Sequence, residues 1–142
     1  MENNNSQLKR FILAQEINHA YDKALEEVKT GRKQSHWIWY IFPQIAGLGF
    51  SSKSRYYGIT SLEEAKAYLQ DETLRNRLYE ITNALMEQDG SAEEILGGID
   101  AIKVRSCMTL FDLVSPGDVF SKVLEKFYGG SRCERTLSIV KG

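Results

Sequence analysis

The stretch Gly31-Arg32-Lys33-Gln34-Ser35-His36-Trp37-Ile38-Trp39-Tyr40-Ile41-Phe42-Pro43-Gln44 holds both tryptophans of the chain among a lysine, a serine and a histidine. Large rings interleaved with a cation, a hydroxyl and an imidazole can grip a flat, polar molecule by stacking and hydrogen bonding. His36 alone in that wall has an ordinary pKa suited to proton transfer near neutrality, so it is the catalytic candidate if a reaction occurs. Two further segments carry scarce chemistry: Lys53-Ser54-Arg55-Tyr56-Tyr57 and Lys103-Val104-Arg105-Ser106-Cys107-Met108-Thr109. In the latter, Arg105 stands between apolar positions, where a partly buried guanidinium needs a structural carboxylate or a bound anion. The expected ligand site therefore takes Lys33, Ser35, His36, Trp37 and Gln44 as one wall. Lys53, Arg55, Lys103 and Arg105 supply its charge. A plainer reading stands beside it. Trp37 to Phe42 is then a buried helix, His36 a satisfied core histidine, and the Lys53 segment a solvated loop pinned by its aromatics.

Established catalytic signatures are absent. Gly47-Leu48-Gly49 lacks the later Gly-Lys-Ser/Thr of a phosphate-binding loop and the third glycine of a dinucleotide fingerprint. No His-Glu-x-x-His, Gly-x-Ser-x-Gly or EF-hand pattern occurs. The carboxylate pairs Glu63-Glu64 and Glu93-Glu94 open helices and read as dipole partners. Two histidines and two cysteines in no ligand spacing recommend no metal and no cofactor. Cys107 and Cys133 read as reduced thiols of a cytoplasmic protein. The polar start Met1-Glu2-Asn3-Asn4-Asn5 is not a signal peptide, and the longest apolar run, Trp37 to Phe42, falls far short of a membrane span. Lys plus Arg is 18 against 19 for Asp plus Glu, a balance that argues against a nucleic-acid partner.

The elements that must position these residues are helical. The 142 residues are 42% hydrophobic and 26% charged, with only two prolines, enough for one core without a disulfide or metal. A first helix is expected from Ser6 to Lys29, behind a disordered tail over residues 1–5. Another is expected from Lys33 to Ile41, ended by Pro43. On it Lys33, Trp37 and Tyr40 share one face. Residues 43–60 read as an ordered loop with a short turn around Lys53 to Tyr57. Ser61-Leu62-Glu63-Glu64 and Ser91-Ala92-Glu93-Glu94 are capping boxes. Asp71 and Asp100 read as caps, Pro116 as a first helical residue, and Ser131 as the last helix start. The result is an all-α, single compact domain of about seven or eight short helices, spanning residues 1–142.

The string Lys33-x-Ser35-His36-Trp37-x-Trp39-Tyr40-x-Phe42-Pro43-Gln44-x-x-Gly47-Leu48-Gly49 resembles the signature of a bacterial family of hypothetical proteins, domain of unknown function 1810, sometimes mislabelled calpastatin. Arg10-Phe11-x-x-Ala14-Gln15, Ser54 to Ile59, Lys103-x-Arg105-Ser106-x-Met108-Thr109-Leu110-Phe111 and Phe120-x-x-Val123-Leu124-x-x-Phe127-Tyr128 extend the resemblance over nearly the whole chain. The stretch between Gln15 and Tyr21 is slightly longer than the family's usual spacing. The resemblance implies a single mostly helical domain. It implies no catalytic residue, because the family has no settled activity. The calpastatin label finds no support, since inhibitors of that kind are long and disordered.

Three functions compete. The first is binding of a small anionic or nucleotide-like ligand in a pocket lined by the His-Trp-x-Trp segment. The next is a protein–protein interaction module without a small ligand. The third is a hydrolase or transferase acting on a nucleotide or ADP-ribose-type substrate. Oligomeric state is not legible. His36, Arg55 and Arg105 discriminate: one shared cavity favours the ligand site, and separate internal pairing favours the interaction module.

Overall fold

The structure, a computed structural model, describes the backbone of residues 2–142 and the side chains from Gln7 onward; the tail expected over residues 1–5 falls outside the fully described residues. The helices are α1 (Glu2–Glu16), α2 (Ala20–Lys29), α3 (Ile38–Ile41), α4 (Ser52–Tyr56), α5 (Leu62–Gln70), α6 (Glu72–Met86), α7 (Ala92–Leu96), α8 (Gly98–Val114), α9 (Val119–Tyr128) and α10 (Glu134–Lys141). Among the described residues the only β pairing is an isolated parallel bridge between Ile45 and Ile59. The chain is one all-α domain.

Helix α8 is central because its composition allows it. Ala101, Val104, Ser106, Cys107, Met108, Thr109, Leu110 and Phe111 are all buried, so small and apolar residues face neighbours on several sides. Helices α3, α5, α7, α9 and α10 pack on it, and α6 closes the far side against α9, α5 and α2. A chain of rings runs through the core. Phe11 meets Tyr68 at 5.3 Å, Tyr68 meets Phe111 at 5.3 Å, and Phe111 meets Phe120 at 5.7 Å between centroids. It joins α1, α5, α8 and α9 into one hydrophobic unit.

Local signals set most boundaries. Ser61, Asp71 and Ser91 each accept from the backbone N–H three residues on, and Ser91 with Glu94 completes a capping box. At Ser61 the box stays half-made, because Glu64 turns to Arg10 and to the Thr60 N–H instead. The continuous first helix is corrected to two. Asn18 (φ 54°) and His19 (φ 58°) take left-handed backbone and turn α2 so that Tyr21, Ala24 and Val28 are buried. That break falls within the lengthened Gln15–Tyr21 stretch. With the turn at α4, the split brings the α-helices among the described residues to ten, against about seven or eight expected.

Other starts also move. Asp118, not the Pro116 region, caps α9, accepting from the Val119 N–H at 2.7 Å and the Ser115 hydroxyl at 2.9 Å. Gly97, with φ 87° and ψ 153°, opens α8 in place of Asp100, whose carboxylate is drawn off by Lys33. Helix α10 opens at Cys133 rather than Ser131, since the Thr109 hydroxyl accepts the Cys133 N–H at 3.0 Å.

The loop over residues 43–60 is held at both ends. Ile59 N–H donates to Gln44 O at 2.8 Å, and Ala46 N–H donates to Ile59 O at 2.8 Å. Gly58 permits this approach, because a Cβ there would lie 2.8 Å from Ala46 Cβ and 2.9 Å from Ser54 O. Arg10 donates from Nε to Tyr56 O at 2.8 Å and from its terminal nitrogens to Gly58 O and the buried Glu64 carboxylate. Gln15 donates to Tyr40 O at 2.8 Å and accepts from Arg77 at 3.1 Å. Arg10 therefore positions the loop, and Gln15 ties α1 to α3 and α6.

Candidate functional site

The Lys33–Trp37 segment is not helical, correcting the helix expected from Lys33 to Ile41, which shrinks to Ile38–Ile41. The cause is the Glu27 carboxylate on α2. It accepts from the backbone N–H of Gln34 at 2.7 Å and of Ser35 at 3.0 Å, from the Ser35 hydroxyl, and from Trp37 Nε1 at 2.8 Å. These bonds tie the 34–37 segment to α2 in its non-helical course. Burial raises the Glu27 pKa, but the four donated hydrogen bonds outweigh it and hold the carboxyl at about 2. Trp37 is 2% exposed and belongs to the core. Lys33 N–H donates to Ile95 O at 2.7 Å. Its ammonium pairs with Asp100 at 2.8 Å and lies 4.7 Å from the Trp37 ring centroid. Lys33, Ser35 and Trp37 are therefore engaged with one another, with Asp100 and with Glu27.

A different set of residues surrounds a cavity of about 420 Å³ between the 43–60 loop, the first half of α8 and the start of α10. Its apolar wall is Trp39, Ile45, Leu48, Tyr57, Ile99 and Ile102; Gln44, Lys103, Arg105, Ser106, Cys133 and Arg135 supply most of its polar groups. Ile99 and Ile102 stand on the first turns of α8, 73% and 60% exposed. Lys103 Nζ lies 4.2 Å from the Trp39 ring centroid and 3.5 Å from Asp100. Arg135 donates to Leu48 O at 3.2 Å and to Gly47 O at 3.4 Å, pinning the loop with its charge uncompensated by either acceptor.

Arg105 is the unusual member. Its Nη1 donates to the Ser131 hydroxyl at 3.4 Å, and its Nε is buried with no hydrogen-bond partner. Among the described residues no carboxylate pairs with it. A buried guanidinium donor left unsatisfied costs free energy that an incoming acceptor recovers. Beside it, Ser106 donates to Cys133 Sγ at 3.2 Å. Burial raises the Cys133 pKa, but the Ser106 bond and the Arg105 charge are among the influences that bring it below the ordinary thiol value. Cys107, fully buried in α8, is pushed well up by burial, and neither cysteine is in a disulfide.

The expected site thus separates. Gln44, Lys103 and Arg105 come together at the large cavity. Ser35, His36 and Trp37 border a different cavity of about 290 Å³ with Lys23, Tyr40 and Tyr57. His36 is exposed there, and its carbonyl accepts from the Tyr40 hydroxyl at 3.3 Å. Lys33 borders neither cavity. Lys53 is exposed on α4 and Arg55 stands on the same short helix; they too border neither. His36, Arg55 and Arg105 therefore share no cavity, yet Arg105 is not internally paired either. Of the two tryptophans, Trp39 rather than Trp37 faces the larger space. Sequence reasoning included Trp39 only as part of the His-Trp-x-Trp segment and missed Ile99, Ile102 and Arg135. Two isoleucines three apart behind Gly97-Gly98 were a legible signal, whereas Arg135 gave none.

Among the described residues no three His, Cys, Asp or Glu side chains are grouped to hold a metal ion, and no helix is long and apolar enough to cross a membrane.

The profile of a family described as a protein of unknown function, DUF1810, matches residues 5–140. A conserved hypothetical protein of Mycobacterium tuberculosis, Rv1873, known from a crystal structure, is 44% identical and superposes with a TM-score of 0.91, over 95% of this chain and 96% of that one. No curated protein matches the chain.

Proposed function

The chain belongs to the DUF1810 family, and on that premise we propose that it binds a small organic anion in the Arg105 cavity. The observation that carries this reading is the buried, unpartnered Nε of Arg105 in a wall that also holds Lys103 and Arg135. Glu134 is the acid on that wall, and Asp100 is already shared between Lys33 and Lys103. Three cations against these two acids leave the site electropositive. An anionic head seated on the Arg105 guanidinium gains charge-assisted hydrogen bonds and supplies the countercharge that no carboxylate among the described residues gives it. The volume falls within the range of small-molecule sites. The His36 segment contributes through Trp39 and Gln44 and not through the imidazole.

A thermal-shift screen against nucleotides, phosphorylated metabolites and simple carboxylates tests this. At least one anion present far above its dissociation constant raises the midpoint of the natural chain. The same anion leaves Arg105→Gln unmoved. A screen without a shift, or an equal shift in Arg105→Gln, rejects the reading.

A further inference from the structure

The arrangement of α8 along the cavity says more about the ligand than that it is anionic. Ile99, Ile102, Lys103 and Ser106 follow one another at spacings of three, one and three, so they form one stripe down the helix face. The stripe changes character along its length. It is apolar at the N-terminal end, where both isoleucines are mostly exposed, and polar at Ser106, beside Cys133 and near Arg105. Across from it stand Trp39, Ile45 and Leu48. Gln44, Ser54 and Glu134 are among the few uncharged or acidic side chains of the lining that could read the polar edges of a base. Large exposed isoleucines on the rim of a cavity leave apolar surface that a ligand body can remove from water.

We infer that the ligand is an amphiphilic acid: one anionic head on Arg105 and an apolar body lying along Ile102 and Ile99 toward the mouth. This deepens the anion-binding reading and rests on it. Arg105, beside Ser106 and Cys133 and without a paired carboxylate among the described residues, fixes the end at which the head sits. The hydrophobic effect then favours each carbon added to the body, about three- to fourfold in affinity per methylene, until the chain leaves the cavity.

The test is a series of straight-chain carboxylates, propanoate to octanoate, with adenosine 5′-monophosphate as the nucleotide arm. Each is titrated into the full chain and followed by amide NMR shifts. Three proteins are compared: the natural chain, Ile102→Asn and Arg105→Gln. Ile102 is exposed, so the asparagine variant folds, which its own spectrum verifies. The inference expects affinity to climb with chain length on the natural protein. It expects a shallower climb in Ile102→Asn, and loss throughout the series in Arg105→Gln. Anion binding that depends on Arg105 but stays flat along the series overturns the amphiphile and leaves the anion site standing. Tighter binding of the nucleotide than of octanoate, untouched by Ile102→Asn, does the same. Failure of every anion, or binding indifferent to Arg105, overturns both.

Discussion

Two regions of this protein place cations, hydroxyls and rings side by side, and they are built in opposite ways. Around Glu27 every donor has found its acceptor: two backbone N–H groups, the Ser35 hydroxyl and the Trp37 indole all end on one carboxylate. Around Arg105 a buried donor has none, and exposed isoleucines line the approach. The Glu27 region is rich in chemical groups along the sequence and is a staple. The Arg105 region, also marked by its residue types in the sequence, keeps a buried donor without a partner. The difference teaches that residue type marks a candidate, while satisfaction of hydrogen bonds decides between structure and recognition.

The comparison can be broken by substitution. The largest effect is expected at the staple. Glu27→Ala orphans several donors at once and costs about 3 kcal/mol of stability, read from denaturant unfolding. A loss under about 1 kcal/mol would mean that the loop keeps its course without Glu27. The same group gives a pH signature. Its folded pKa lies at about 2, below the ordinary 4.5, so its stabilisation is fully present above about pH 4.5 and is lost as pH falls through about 2. Unfolding curves of the natural chain should steepen across that acid window relative to Glu27→Gln, and parallel curves would refute the assignment.

The cavity region should respond in binding and reactivity instead. Arg105→Gln is expected to leave stability within about 1 kcal/mol while removing anion binding, because no carboxylate among the described residues pairs with its charge. A large destabilisation would make Arg105 a structural residue. Thiol labelling sharpens the same contrast: Cys133, at the cavity, should alkylate in the folded protein, whereas Cys107 waits for unfolding. Mass spectrometry of the labelled peptides would contradict this by finding Cys107 modified first. The smallest effect belongs to His36→Ala, expected to shift stability by no more than about 0.5 kcal/mol and anion affinity not at all.

Much of the fold was legible because it is local. The caps at Ser61, Asp71 and Ser91 act through the next three residues, and Leu74, Leu78, Ile81 and Leu85 share one face by helical period alone. The misplaced starts have a common physical cause. At Asp100, Cys133 and Lys33 to Trp37, a partner distant in sequence overrides the local bond: Lys33, Thr109 and Glu27 respectively. Gln44, Lys103 and Arg105, which border the larger cavity, were legible as candidates because scarce polar residue types cluster in segments that otherwise read as core or loop. Arg135 was not, since nothing near it in the chain marks it.

Composition and periodicity by themselves determined that this chain is helical, built on one core, and that a partly buried Arg105 would require an explanation. Tertiary structure decided whether a structural carboxylate is that explanation. Hydrogen-bond satisfaction is a property of neighbours in space: folding brings Glu27 to the Trp37 segment, yet among the described residues it brings no carboxylate to Arg105.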